Sequence, residues 1–129
     1  MKKKIPEASN VTPSDFIIIG GAGDLSLRKI IPALFWRFLD NQINSNSSII
    51  ICVHNQISID QLKSKLIPHC KEAIAKDIHN KEKWVQFIDL LNIVVLDVIT
   101  GLGADDLSIL LRKKIDIKRP FIFYLAISS

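Results

Sequence analysis

Short unbroken apolar runs alternate along this chain with longer stretches in which apolar residues recur every three or four positions. Phe16–Ile19 is the first run and stops at Gly20. Continuous runs of this kind suit strands buried on both faces, as in a parallel sheet. Ser48–Val53 and Asn92–Val98 predict a second and a third strand, and Phe121–Ile127, preceded by Pro120, a fourth. Between the first two, Ile30, Ile31, Leu34, Phe35 and Phe38 predict a helix from Leu25 to about Asn41. Pro32 lacks a backbone donor and is expected to kink that helix near its start.

Asn44–Ser48 is a turn cluster. Ser58 or Asp60 can cap a helix that runs through Leu62, Leu66 and Ile67 toward Ile78, with Pro68 expected to break or bend it. Trp84–Leu91 is a further short helical pattern, and Thr100–Gly103 is a loop. Ala104–Ile115 is helical, with Asp105 and Asp106 in its first turn and Arg112, Lys113 and Lys114 in its last, an order that complements the helix dipole. Strands alternating with helices mean right-handed crossovers and an α/β parallel sheet. The expected fold is Rossmann-like and incomplete, with about four strands. Residues 1–14, with Pro6 and Pro13, read as a polar tail, and 15–129 as a partial dinucleotide-binding domain.

Composition narrows the function classes. A chain of 129 residues suits one domain, and 48% hydrophobic residues excludes a disordered one. The longest membrane-span candidate, Ile88–Ala104, is interrupted by Asp89 and Asp97. Lys2–Lys4 are followed by polar residues to Asp15 rather than by an apolar segment, so a secretory signal is not expected and a cytoplasmic location is. The net charge is +4, but the basic residues are scattered and few aromatics stand among them. Solvated helix faces explain them better than a nucleic-acid surface does. Cys52 and Cys70 form no CxxC pair, and His54, His69 and His79 have no ligand spacing, so a reduced chain without metal is expected.

The segment with the most chemistry is Gly20-Gly21-Ala22-Gly23-Asp24-Leu25-Ser26, which follows the first strand and opens the first helix. Read from Gly21 it is G-x-G-x-x-S, in the context a dinucleotide fingerprint requires. On that reading Gly21 allows the tight turn, Gly23 lets backbone approach a pyrophosphate, and Ser26 holds the third small position. Unpaired N–H groups at the helix start would bind the anion, and Lys29 stands one turn further in. The plainer alternative is that a strand-to-helix turn simply favours glycine. A ribose reader belongs at the end of the second strand, where an acid favours NAD and an arginine favours a 2′-phosphate. This chain has Cys52-Val53-His54-Asn55 there. Asn55 can hydrogen-bond a ribose hydroxyl or one phosphate oxygen but cannot make arginine's bidentate contact. For His54 a surface position without a role is the simpler reading.

These residues resemble the start of the coenzyme domain of the glucose-6-phosphate dehydrogenase family. That family carries G-[AG]-[ST]-G-D-L-A-x-[RK]-K after its first strand, then a helix with Pro-Ala-Leu. Here the match is Gly20-Gly21-Ala22-Gly23-Asp24-Leu25-Ser26-Leu27-Arg28-Lys29, then Pro32-Ala33-Leu34-Phe35. Asp97-Val98 resembles the family's Asp-Val after the third strand, and Phe123-Tyr124-Leu125-Ala126 its Phe-Tyr-Leu-Ala. The resemblance runs from residue 15 to residue 129.

It implies that Gly20, Gly21, Ala22, Gly23, Asp24 and Leu25 hold the pyrophosphate and ribose of NADP, and that Lys29 lies near coenzyme and sugar phosphate. It places Asn55 where the 2′-phosphate arginine is expected, Asp97 and Val98 along the adenosine, and Ala126 toward the nicotinamide. With Asn55 in that position NAD is admitted as well. The sequence departs from the family pattern at Ala22, Leu27 and Asn55, and at Ser128 and Ser129, where prolines are expected.

The family's sugar-phosphate segment with its histidine base has no counterpart here. The resemblance therefore implies an amino-terminal coenzyme-binding part of the dehydrogenase, truncated and inactive alone, with no catalytic residue of its own. Two alternatives stand beside it. One is a non-enzymatic partner or pseudoenzyme subunit completed through an exposed fourth strand by a second chain, whether a C-terminal catalytic chain or a homologue. The other is a stand-alone nucleotide-binding protein. Partners expected are a dinucleotide and such a chain, with neither nucleic acid nor membrane.

Overall fold

The computed structural model describes residues 11–97, 100–115 and 119–126. Most of the expected polar tail, together with Val98, Ser128 and Ser129, lies outside the described residues. The strands are β1 (Asp15–Ile19), β2 (Ser48–Val53), β3 (Leu91–Val95) and β4 (Phe121–Leu125). The helices are α1 (Ile31–Leu39), α2 (Ile59–Ala75), α3 (Asn80–Ile88) and α4 (Ala104–Ile115). The four strands form one parallel sheet in the order β3-β2-β1-β4. This is the Rossmann-like α/β arrangement expected from the alternation of patterns.

The strand sequences alternate between two apolar layers. Phe16, Ile18, Ile49, Ile51 and Val53 meet Leu34, Phe35 and Phe38 of α1, Leu62 and Leu66 of α2, and Trp84 and Phe87 of α3. Phe35 sits 5.0 Å from the Trp84 ring and 5.1 Å from that of Phe87, which joins α1 to α3. On the other face Ile17, Ile50 and Cys52 meet Leu107, Leu110 and Leu111 of α4. Ile17, Ile18, Ile49, Ile50 and Ile51 have no exposed surface. Each contributes roughly 1.5–3 kcal/mol of hydrophobic stabilisation. β4 lies at the sheet edge, where Phe123 is 56% and Leu125 74% exposed.

Two prolines shape the helices in different ways. Ahead of α1 the chain makes a wide π-type turn, Ser26–Ile30, closed by the Ile31 N–H donating to the Ser26 carbonyl. Pro32 supplies the reason, because its ring excludes an ordinary i−4 carbonyl and the turn widens just before it. Pro68, by contrast, does not end α2, which runs on to Ala75. Ser64 and Pro68 are both exposed, so water can serve the carbonyl left without a donor. α2 begins at Ser58, whose side chain accepts from the Gln61 N–H while the Gln61 side chain accepts from the Ser58 N–H. α1 stops where Asn41 turns left-handed (φ 59°) and the Gln42 N–H reaches the Arg37 carbonyl.

At the amino ends of the strands, Asp15 is buried and paired with Arg119, Nε to Oδ2, at 2.9 Å. Arg119 also donates to the carbonyls of Ser14 and Asn46. One side chain thereby fastens the entry of β4 to the starts of β1 and β2, leaving the opposite ends of the strands as the open side.

Candidate functional site

The carboxyl ends of β1, β2 and β4 converge on one cleft of about 870 Å³. The strand order reverses here, since β1 connects outward to β2 and β3 while β4 lies on its other side. Open α/β sheets bind ligands at such a switch point. The turn after β1 is built by backbone. The N–H groups of Gly20 and Gly21 both donate to the Cys52 carbonyl at 3.0 Å, and the Gly23 N–H donates to the Gly20 carbonyl. The Leu27 N–H to Gly23 carbonyl bond is the first of helical type. The N–H groups of Asp24, Leu25 and Ser26 stand ahead of it, as free helix-start donors do.

The glycines divide the work differently from the sequence expectation. The left-handed residue is Gly20 (φ 83°), so Gly20 and not Gly21 makes the tight turn. Gly21 is required by close approach, because a Cβ there would overlap Cγ2 of Ile51. A Cβ on Gly23 would come within 3.3 Å of the Gly20 carbonyl and 3.8 Å of that of Ala126. Its bare Cα leaves the cleft wall open between these two carbonyls. Ser26 is fully buried at the third small position.

Of the residues expected to bind coenzyme, Gly20, Ala22, Gly23, Asn55 and Ala126 line this cleft, and Gly21 supports it from beneath. Asp24, Leu25 and Lys29 are exposed and stand outside the lining. The Asp24 carboxylate is paired with Arg28 at 3.0 Å. Asp97 follows the lining residue Leu96. Its carbonyl accepts from Gly101, its carboxylate from the Thr100 N–H, and its own N–H donates to Leu102, so it organises the loop before α4. Val98 lies outside the described residues.

The far wall comes from α2, which sequence reasoning did not connect with the glycine turn. Gln61, Ser64 and Lys65 face the cleft from its first two turns. Their i, i+3, i+4 spacing was a visible signal of one polar face. What places that face at the mouth of β2 is the parallel crossover. The floor includes Cys52, whose burial pushes its thiol up to about 11, so it stands there as a neutral group. Of the three histidines, His54 borders the cleft; His69 and His79 are exposed on or beside helices away from it. Among the described residues no group of three or more His, Cys, Asp or Glu could hold a metal ion, and no helix is long and apolar enough to cross a membrane.

Fold and site together define a Rossmann-like α/β domain with its cleft at the switch point of a four-stranded parallel sheet. Residues 17–129 match the family described as "Glucose-6-phosphate dehydrogenase, NAD binding domain", and the chain belongs to that family. It is 32% identical over 117 residues to the glucose-6-phosphate 1-dehydrogenase of Rhizobium meliloti (strain 1021), covering 91% of this chain and 23% of that protein. A solved glucose-6-phosphate dehydrogenase in complex with glucose 6-phosphate superposes with a TM-score of 0.76 at 23% identity, over 99% of this chain and 26% of the other. The glucose-6-phosphate 1-dehydrogenase of Mycobacterium avium gives a TM-score of 0.68 at 20% identity, over 92% of this chain and 24% of the other. The chain thus spans about 23% of the length of the curated relative from Rhizobium.

Proposed function

We propose that this chain is the coenzyme-binding part of a glucose-6-phosphate dehydrogenase and holds NADP in the cleft between the glycine turn and α2. The observation behind this reading is the convergence of Gly20, Gly23, Asn55 and Ala126 on one cleft at the switch point of the sheet. In the proposed arrangement the helix-start amides after Gly23 and the open wall beside Ala126 take the pyrophosphate, and Asn55 meets the adenosine ribose. Bound NADP accepts a hydride from the sugar phosphate in the reaction proposed for the whole dehydrogenase, which yields 6-phosphogluconolactone as the first step of the pentose phosphate pathway. This chain contributes binding and orientation, and alone it is proposed to be inactive, in a cytoplasmic setting. The test is a thermal melt with and without excess NADP or NAD. A ligand present at 100 times its dissociation constant adds about 2.7 kcal/mol, a shift of several degrees for a domain of this size. An unchanged melting temperature with both nucleotides overturns the reading.

A second reading concerns the β4 edge. Phe123 and Leu125 are largely exposed on a strand with one neighbour among the described residues. Exposed apolar edges invite pairing. The proposed occupant is the remaining, catalytic part of a dehydrogenase, supplied on this chain or another. Co-expression with such a catalytic part, followed by co-purification and recovery of sugar-phosphate oxidation, supports it; separate elution without activity excludes it.

A further inference from the structure

We infer that Lys65 on α2, and not a residue at the end of β2, selects a ribose 2′-phosphate in this cleft; the inference rests on the dinucleotide reading above. Four observations lead to it. The residue at the usual reading position, Asn55, is neutral. Among the described residues no Asp or Glu lines the cleft, so none of them holds the two free hydroxyls of an NAD ribose as an acid does, and none repels an added phosphate. Lys65 is the one Lys or Arg among the lining residues, and it forms no ion pair among the described residues. The other cations that might have served are engaged or elsewhere: Arg28 is paired with Asp24, Arg119 with Asp15, and Lys29 stands outside the lining.

Chemistry on either side of Lys65 fits the same ligand. Ser64 adds a hydroxyl, and Gln61 keeps its amide N–H groups, because its carbonyl oxygen is the atom that caps α2. An ammonium on a four-carbon stem is a point charge rather than a fork, so it favours the phosphate by charge without fixing its orientation. This predicts a real but moderate preference for NADP.

The experiment is calorimetric titration of the full chain with NADP, NAD, 2′,5′-ADP and 5′-AMP at fixed ionic strength, repeated for Lys65→Gln and Lys65→Arg. Lys65→Gln is expected to weaken NADP and 2′,5′-ADP roughly tenfold or more, as loss of one charge-assisted contact does. NAD and 5′-AMP should be unaffected, and Lys65→Arg should keep the preference. Lys65 is exposed, so the variant's ligand-free melt should match the parent. If Lys65→Gln leaves NADP unchanged, or weakens NAD equally, this inference falls while the dinucleotide reading stands. If the parent chain binds neither NADP nor NAD, both fall together.

Discussion

Gly21 lies against Ile51 so closely that a single added methyl group would occupy the space of the Ile51 Cγ2. Ile51 is fully buried in β2 and packs under α1 and α2, so it has little room to yield. The turn after β1 is therefore set by a packing contact as well as by backbone torsion. Gly21→Ala is expected to cost about 1–3 kcal/mol of stability, the usual range for overpacking. Urea unfolding followed by circular dichroism checks this, and a variant as stable as the parent would mean that the contact relaxes freely.

Asn55→Arg would place a charged fork at the end of β2, on the wall of the cleft. Asn55 borders the cleft and is exposed, so the change requires no repacking. A charge-assisted contact is worth about 1.5–3 kcal/mol, so NADP should bind roughly ten- to a hundredfold more tightly. NAD affinity should stay level. Fluorescence titration of both coenzymes reads the result.

Much of this architecture was legible in the chain because its strands are buried on both faces. Ile17, Ile18 and Ile49–Ile51 leave no polar position to obscure the run, and their alternation with helical patterns implies a parallel sheet, whose order β3-β2-β1-β4 the structure supplies. The glycine turn was legible as a candidate site for the same reason, since it falls where a strand pattern becomes a helical one. Other features depended on three dimensions. Gly20 takes the tight turn expected of Gly21, and Gly21 is held by close packing instead, because torsion and close packing are separate demands and only the position of Ile51 distinguishes them. α2 persists through Pro68 where Ser64 and Pro68 are both exposed, an exposure that a sequence does not display. Lys65 joins the cleft through tertiary placement of α2, ten residues from Asn55 in the chain.

Arg119 ties three strand starts together through Asp15, Ser14 and Asn46. Removing one partner of a buried ion pair leaves the other charge poorly solvated, typically at 3–5 kcal/mol. Arg119→Met should destabilise the chain by about that much and speed amide exchange in β4. Asp15→Leu with Arg119→Met should recover part of the loss. If the single variant is no less stable, the pair does not fasten β4.

Cys52 and Cys70 are both buried, and burial pushes their thiols up from 9.0 to about 11 and about 12. Above pH 9 the unfolded chain loses these protons while the native chain keeps them. The unfolded state then binds fewer protons, so stability falls as pH rises through this window. It is fully present below pH 9 and lost progressively up to about 12. Two thiols should react slowly with a disulfide reagent in the native chain at pH 8 and fast in urea. Rapid native labelling would contradict the packing around α2 and the cleft floor.

The central claim is that one cleft at the ends of β1, β2 and β4 holds a dinucleotide. A nitrogen-15 amide NMR titration with NADP and with NAD tests it residue by residue. Shifts are expected to concentrate at Gly20, Ala22, Gly23, Asn55 and Ala126, with Trp84 and Phe87, which do not line the cleft, unmoved. An unchanged spectrum at millimolar nucleotide, or shifts confined to the α3 face, would contradict it.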